Sequence, residues 1–213
     1  MQVINIRGTT SSGKTTAMTG LIKASNQKNR IITLTPEVKG TLISFGIVIG
    51  TYKKGSKFGG CDAIKKIEYM EQAIWKALEI RPIVFFEGLL VSHSYERWKN
   101  FSDKLKTIQK EYNVKQNGII WVFTSPSFRQ NLNQLKKRNN IKNLRKKRGD
   151  KFVMNFIQRY KSIVRLKKKA IKDKMTIENI DSKDIFKLMK VVEKYKDQVL
   201  LKGKDKKGIT KFL

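Results

Sequence analysis

A chain of 213 residues, 39% of them hydrophobic, has enough apolar mass for one sizeable core and fits a single α/β domain better than two. Its 47 Lys and Arg against 17 Asp and Glu give a formal charge of +30, more than a mononucleotide needs and suited to a polyanionic partner. One cysteine, Cys61, excludes a disulfide framework; there is no Cys/His cluster of zinc spacing, no Gly-x-Ser-x-Gly elbow and no Ser/His/Asp set that the one histidine, His93, would serve, and no apolar run is long enough to span a bilayer.

The chain opens on an apolar run, Val3-Ile4-Asn5-Ile6-Arg7, which reads as a strand. Gly8-Thr9-Thr10-Ser11-Ser12-Gly13-Lys14-Thr15 follows with the complete G-x-x-x-x-G-K-[ST] spacing. Residues 15–25 carry Met18, Leu21 and Ile22 at helical spacing, so the loop stands between a strand and a helix, as phosphate binding requires. Residues 30–35 are expected as a second strand, stopped by Pro36. Residues 42–52 read as an extended hairpin arm lying over the substrate side, with Gly46 and Gly50 arguing against a regular central strand.

Residues 53–62 are glycine-rich and aperiodic, hence a loop, and Asp62 suits the N-cap of a helix over 63–79. Ile83-Val84-Phe85-Phe86-Glu87 is a continuous apolar strand closed by a carboxylate, the pattern of a buried parallel strand. A helix over 94–113 places Trp98, Phe101, Leu105 and Ile108 on one side, and 118–123 is the fourth core strand. Pro126 starts a helix whose core face is Phe128, Leu132 and Leu135. Basic residues dominate 136–148, a further helix covers 152–172, and a short strand at 175–180 precedes a closing helix over 184–195. Strands alternating with helices predict a parallel sheet flanked by helices on both faces, in one domain with a basic helical lid over about 136–151 and a basic tail over about 198–213.

Each part of a phosphoryl-transfer site has a candidate. Backbone N–H groups of Gly8, Thr9, Thr10, Ser11, Ser12, Gly13, Lys14, Thr15 and Thr16 would cradle the phosphates of ATP, with Lys14 on the β- and γ-phosphates and the Thr15 hydroxyl on Mg²⁺. Glu87 should reach the carboxyl edge of the sheet beside this loop, to deprotonate an acceptor hydroxyl, to hold Mg²⁺ through water, or merely to cap the turn at Gly88. Arg129 and the cluster Lys136, Lys137, Arg138 are candidates for cations that close on the nucleotide. Asp62 is either a helix cap or an acceptor contact, and Arg97 with Trp98 pairs charge and stacking against a nucleobase unless Trp98 is core. His93, in a polar turn, reads as a surface residue.

The cations are unevenly placed. Residues 1–135 hold 20 basic and 9 acidic side chains, 136–174 hold 17 and 2, and 175–213 hold 10 and 6, so under a fifth of the chain carries half the net charge. A charge run is commonly just a solvated face; this concentration favours a polyanion.

Three pieces in order, Gly8 to Thr15, Gly59-Gly60-Cys61-Asp62, and Phe86-Glu87-Gly88-Leu89-Leu90-Val91-Ser92-His93, resemble the bacteriophage P-loop kinases related to thymidylate kinase, in particular the 5-hydroxymethyluracil DNA kinases. The resemblance covers roughly residues 1–140. It implies a nucleotide-kinase-like P-loop fold, ATP and Mg²⁺ at Gly13, Lys14 and Thr15, Glu87 and Asp62 facing the acceptor, and phosphorylation of 5-hydroxymethyluracil already in DNA, in the host cytoplasm. The Asp-Arg pair of thymidylate kinases is Glu87-Gly88 here, which argues against their way of holding a monophosphate. Two other readings remain at this point: a nucleoside or nucleoside-monophosphate kinase whose lysines are only compositional, and a nucleic-acid-binding ATPase that transfers phosphate to water.

Overall fold

The computed structural model describes residues 1–25, 30–52, 60–61, 64, 66–87, 94–124, 126–138, 144–180 and 185–196, with backbone alone at 144–148, 185–186 and 196. Its strands are β1 (Gln2–Arg7), β2 (Arg30–Thr35), β3 (Val38–Ile43), β4 (Gly46–Ile49), β5 (Ile83–Glu87), β6 (Ile119–Thr124) and β7 (Ile177–Ile180). The helices are α1 (Lys14–Ala24), α2 (Ile67–Ile80), α3 (Tyr95–Glu111), α4 (Phe128–Arg138), α5 (Leu144–Lys172) and α6 (Ile185–Lys196).

All seven strands form one sheet in the order β2-β3-β4-β5-β1-β6-β7. β1 lies in the middle of the parallel part β4-β5-β1-β6-β7, parallel to β5 with Ile6 opposite Glu87 and parallel to β6 with Arg7 opposite Phe123. Both faces are covered, which explains why the central strands read as unbroken apolar runs rather than alternating ones. Val3, Val84, Phe86, Trp121 and Phe123 pack under α2, α3 and α5, whereas Ile4, Ile6, Phe85, Ile120 and Val122 pack under α1 and α6. The chain is therefore an α/β protein with a mostly parallel sheet between two helical layers, the architecture of P-loop kinases.

Two expectations are corrected here. The arm over 42–52 does not lie across a substrate: β2, β3 and β4 form an antiparallel meander within the sheet, and β4 joins β5 in parallel. Ser44 and Phe45 make the turn between β3 and β4; Gly46 is the first residue of β4 and Gly50 follows its last, so neither glycine interrupts the buried run Ile47-Val48-Ile49. The second correction concerns the helix expected over 63–79: α2 starts at Ile67 with Lys66 as its N-cap, so Asp62 is not the cap of α2. Asp62 itself lies outside the described residues, as do His93, Gly88 and the tail over 198–213.

α4 and α5 stand partly apart from the main core. Leu135 and Phe156 form a small cluster of their own with Leu132, Phe152 and Val153, and the Phe128 ring meets Phe156 and Tyr160 at 5.8 and 5.2 Å. Within the segment expected as a lid, α4 runs to Arg138, residues 139–143 lie outside the described ones, and α5 begins at Leu144 with a non-helical break at Gly149 (φ 75°, ψ 166°). Beyond that break, Ile163, Leu166 and Ala170 bring α5 onto the main core.

Candidate active site

Since β1 lies between β5 and β6 and parallel to both, the loop after it emerges between their carboxyl ends, where open α/β sheets bind ligands. Gly13 is left-handed (φ 90°, ψ 8°) and serves as the N-cap of α1 with no side-chain hydrogen bond, so no side chain of the cap competes for the first N–H groups of the helix. The Lys14 ammonium is held across the loop, donating to the Thr9 carbonyl at 2.8 Å, and its side chain is largely buried.

The loop is braced from β6 and α4. The Thr124 hydroxyl donates to the Arg7 carbonyl at 3.1 Å and so accepts from Ser12, whose Oγ lies 2.7 Å away. Gly8 has to be glycine, because a Cβ there would stand 2.0 Å from Thr124 Oγ1 and 2.3 Å from Ser12 Oγ. Asn131, fully buried on α4, uses both ends of its amide: Oδ1 accepts from Thr9 Oγ1 at 2.7 Å and Nδ2 donates to the Thr10 carbonyl at 3.1 Å. The helix that carries Arg129 and Arg138 is thereby fastened to the loop.

On the other side stands Glu87, the last residue of β5 and only 2% exposed. Its Oε1 accepts from the Thr15 hydroxyl at 3.3 Å and from the Tyr52 hydroxyl at 3.5 Å. Gly60, bridged to Thr51, presses against the same carboxylate: a Cβ would meet Glu87 Oε1 at 2.6 Å and Tyr52 Oη at 2.8 Å, and φ is +69°. Thr15 and Glu87 together offer hard oxygen donors of the type Mg²⁺ takes. Among the described residues no group of three or more His, Cys, Asp or Glu forms a metal cluster.

The other predicted residues are distributed as follows. Arg129 and Arg138 are exposed on α4, as is Lys137, with Lys136 half-buried. Arg97 departs from the base-stacking expectation: its guanidinium is engaged by both oxygens of Glu71, at 2.7 and 2.9 Å, and by Glu68 at 2.5 Å. Those two carboxylates raise its pKa further. Trp98 is fully buried against Phe86 and Phe101, so it is core.

Sequence reasoning missed Asn131, Thr124, Tyr52 and Arg7. Asn131 had a signal, being a polar residue three after Phe128 and four before Leu135 on the apolar stripe of α4. Arg7 is completely buried at the foot of the loop with its guanidinium 3.7 Å above the Trp121 ring, and burial lowers its pKa to about 9. An arginine closing an apolar strand reads as a solvated end; the covering ring of Trp121 comes from a strand more than a hundred residues later.

No protein-family model matches the chain, and no solved structure does. The chain is similar to a curated protein described as 5-hmdU DNA kinase from Pseudomonas phage M6, with 26% identity over 203 residues that cover 90% of this chain and 97% of that one. The resemblance to a phage kinase thus extends over almost the whole length of both proteins, beyond the motifs at the phosphate-loop edge.

Proposed function

We propose that the protein is an ATP-dependent kinase that phosphorylates the hydroxymethyl group of 5-hydroxymethyluracil in DNA, within the cytoplasm of an infected host. The observation that carries this reading is the pairing of Glu87 with Thr15: a buried carboxylate at the end of β5, 3.3 Å from the hydroxyl that follows the lysine of the loop. That pairing serves phosphoryl transfer to an alcohol or to water, and the similarity to a phage DNA kinase favours the alcohol.

In this reading the N–H groups from Gly8 to Thr16 and the Lys14 ammonium hold the β- and γ-phosphates of ATP. Thr15, with Glu87 acting through water, would hold Mg²⁺, which when bound neutralises charge on the β- and γ-oxygens. Glu87 accepts the proton of the acceptor hydroxyl as that oxygen bonds to the γ-phosphorus and the bond to the ADP oxygen breaks. Arg129 and Arg138, on the helix fastened by Asn131, supply mobile positive charge towards the transferred group. Asp62 is the further candidate for binding the acceptor. Arg97 keeps a supporting part, since its charge is spent on Glu68 and Glu71. The cation-rich segment over 136–174 holds DNA, and the target base leaves the stack to bring its hydroxyl to the γ-phosphate.

The test is transfer of label from γ-labelled ATP to DNA containing 5-hydroxymethyluracil, to ordinary DNA and to free deoxynucleotides. Label on the modified DNA alone is expected. Label on free thymidylate alone would replace this reading with a nucleotide kinase, and phosphate release stimulated by any DNA would replace it with an ATPase.

A further inference from the structure

Beyond its break at Gly149, α5 divides sharply into faces. Ile163, Leu166 and Ala170 are buried against the sheet, while Lys161, Arg165, Lys168 and Lys172 are exposed. Those four stand at i, i+4, i+7 and i+11, so at 100° per residue they fall within about 60° of arc, and at 1.5 Å per residue they run along about 16 Å of helix. They form one straight cationic ridge.

Two observations separate this ridge from an ordinary solvated face. Residues 151–172 contain eight Lys and Arg and no Asp or Glu. Several cations elsewhere are matched by carboxylates, as in Lys76–Glu79, Lys106–Asp103 and Lys194–Glu178, and on α5 itself Lys169, off the ridge, pairs with Glu96; none of the four ridge cations forms an ion pair with a described residue. Like charges four apart on a helix, as in Lys161/Arg165 and Lys168/Lys172, destabilise it. A face kept for solubility alone would relieve that repulsion with interleaved glutamates; this one keeps it, which suits a ligand that brings the negative charge.

Where the ridge lies narrows the ligand. Lys167 of the same helix reaches the ring of Phe123, one residue before the carboxyl end of β6, so Lys161 and Arg165 stand near the phosphate-loop edge while Lys168 and Lys172 descend the flank. We infer that this outer face of α5 is the DNA-backbone interface, its four cations lying along consecutive phosphates of one strand. The inference rests on the reading of the protein as a DNA kinase and separates the backbone contact from the cations of α4.

The test is the salt dependence of binding to a fluorescent duplex containing 5-hydroxymethyluracil. Three proteins are compared: the unaltered chain, a variant with Lys161→Gln, Arg165→Gln, Lys168→Gln and Lys172→Gln, and a control with Lys110→Gln and Lys115→Gln, exposed residues at and just beyond the C-terminal end of α3. Glutamine keeps the helix propensity of lysine, and a thermal melt checks the fold. Each lost phosphate contact should flatten the slope of log K against log salt by about 0.9, so the fourfold variant should lose about 3 to 4 in slope and the control nothing. The double variant Lys161→Gln/Lys172→Gln should lose about half as much and serves if the fourfold one melts early. An unchanged slope in the ridge variants, or an equal loss in the control, overturns the ridge while leaving the kinase reading intact. Absence of DNA binding by the unaltered chain overturns the DNA reading itself.

Discussion

The phosphate-loop edge and the outer face of α5 handle polar groups in opposite ways. At the loop edge they are buried and interlocked: Ser12 on Thr124, Asn131 on Thr9 and Thr10, Glu87 on Thr15 and Tyr52. On the outer face of α5, Lys161, Arg165, Lys168 and Lys172 are exposed and pair with no described carboxylate. Buried groups at fixed distances give directional, short-range control, as positioning for phosphoryl transfer demands. Exposed charge gives a longer-ranged attraction that salt screens and that tolerates movement of the ligand. The two regions should therefore fail differently under mutation: the first by geometry, the second by ionic strength.

The largest effect is expected from Glu87→Gln, which keeps the shape and removes the base. Transfer to modified DNA should fall by about 10²- to 10⁴-fold, with the salt slope of DNA binding unaltered. Full activity in this variant would remove Glu87 from the chemistry. Gly60→Ala comes next, because the new methyl meets Glu87 Oε1 and Tyr52 Oη at a left-handed φ. It should cost of order 1–3 kcal/mol in urea unfolding and about 10²-fold in transfer through displacement of the carboxylate. Smaller again is Asn131→Ala, which strips two buried partners from the loop. A loss of about 1–3 kcal/mol in stability is expected, with weaker ATP binding and unchanged DNA binding; if DNA binding fell equally, the two regions would not be separable.

The smallest effect is a pH dependence at the far end of α5. Tyr95 donates to Asp173 at 2.5 Å, and burial followed by that carboxylate pushes its phenol well above the ordinary value near 10. Above pH 10 the unfolded chain loses this proton while the folded chain keeps it, so the folded state binds more protons and stability falls as pH rises. Tyr95→Phe should remove at most about 1.4 kcal/mol per pH unit of that slope, read as the difference between two unfolding curves at pH 10 to 11. Tyr195, raised by burial and Glu178, contributes the same sign to both curves and cancels.

Much of the phosphate-loop edge was legible because its signals are local. The glycine and lysine spacing lies within eight residues, and the apolar run 83–86 announces a buried strand that delivers Glu87 to an edge. Asn131 and Thr124 were not legible as loop braces, since their partners lie more than a hundred residues away and nothing in the spacing pairs them. Arg97 was misread for the same reason: its carboxylates come from a helix whose start was itself set four residues too early. The meander β2-β3-β4 escaped because glycines at the ends of a strand look, in one dimension, like glycines that break it.

The alternation of strands and helices, the phosphate-loop motif at the end of the first strand and the crowding of cations into 136–174 are properties of neighbouring residues and stand in the amino-acid order. Which strands flank β1, and hence that Glu87 meets Thr15, that Asn131 ties α4 to the loop, and that four cations of α5 share one exposed face above a buried one, follows from the folded arrangement. Register, burial and pairing between distant segments are set by packing of the whole core, and local composition carries no record of which distant residue will be opposite.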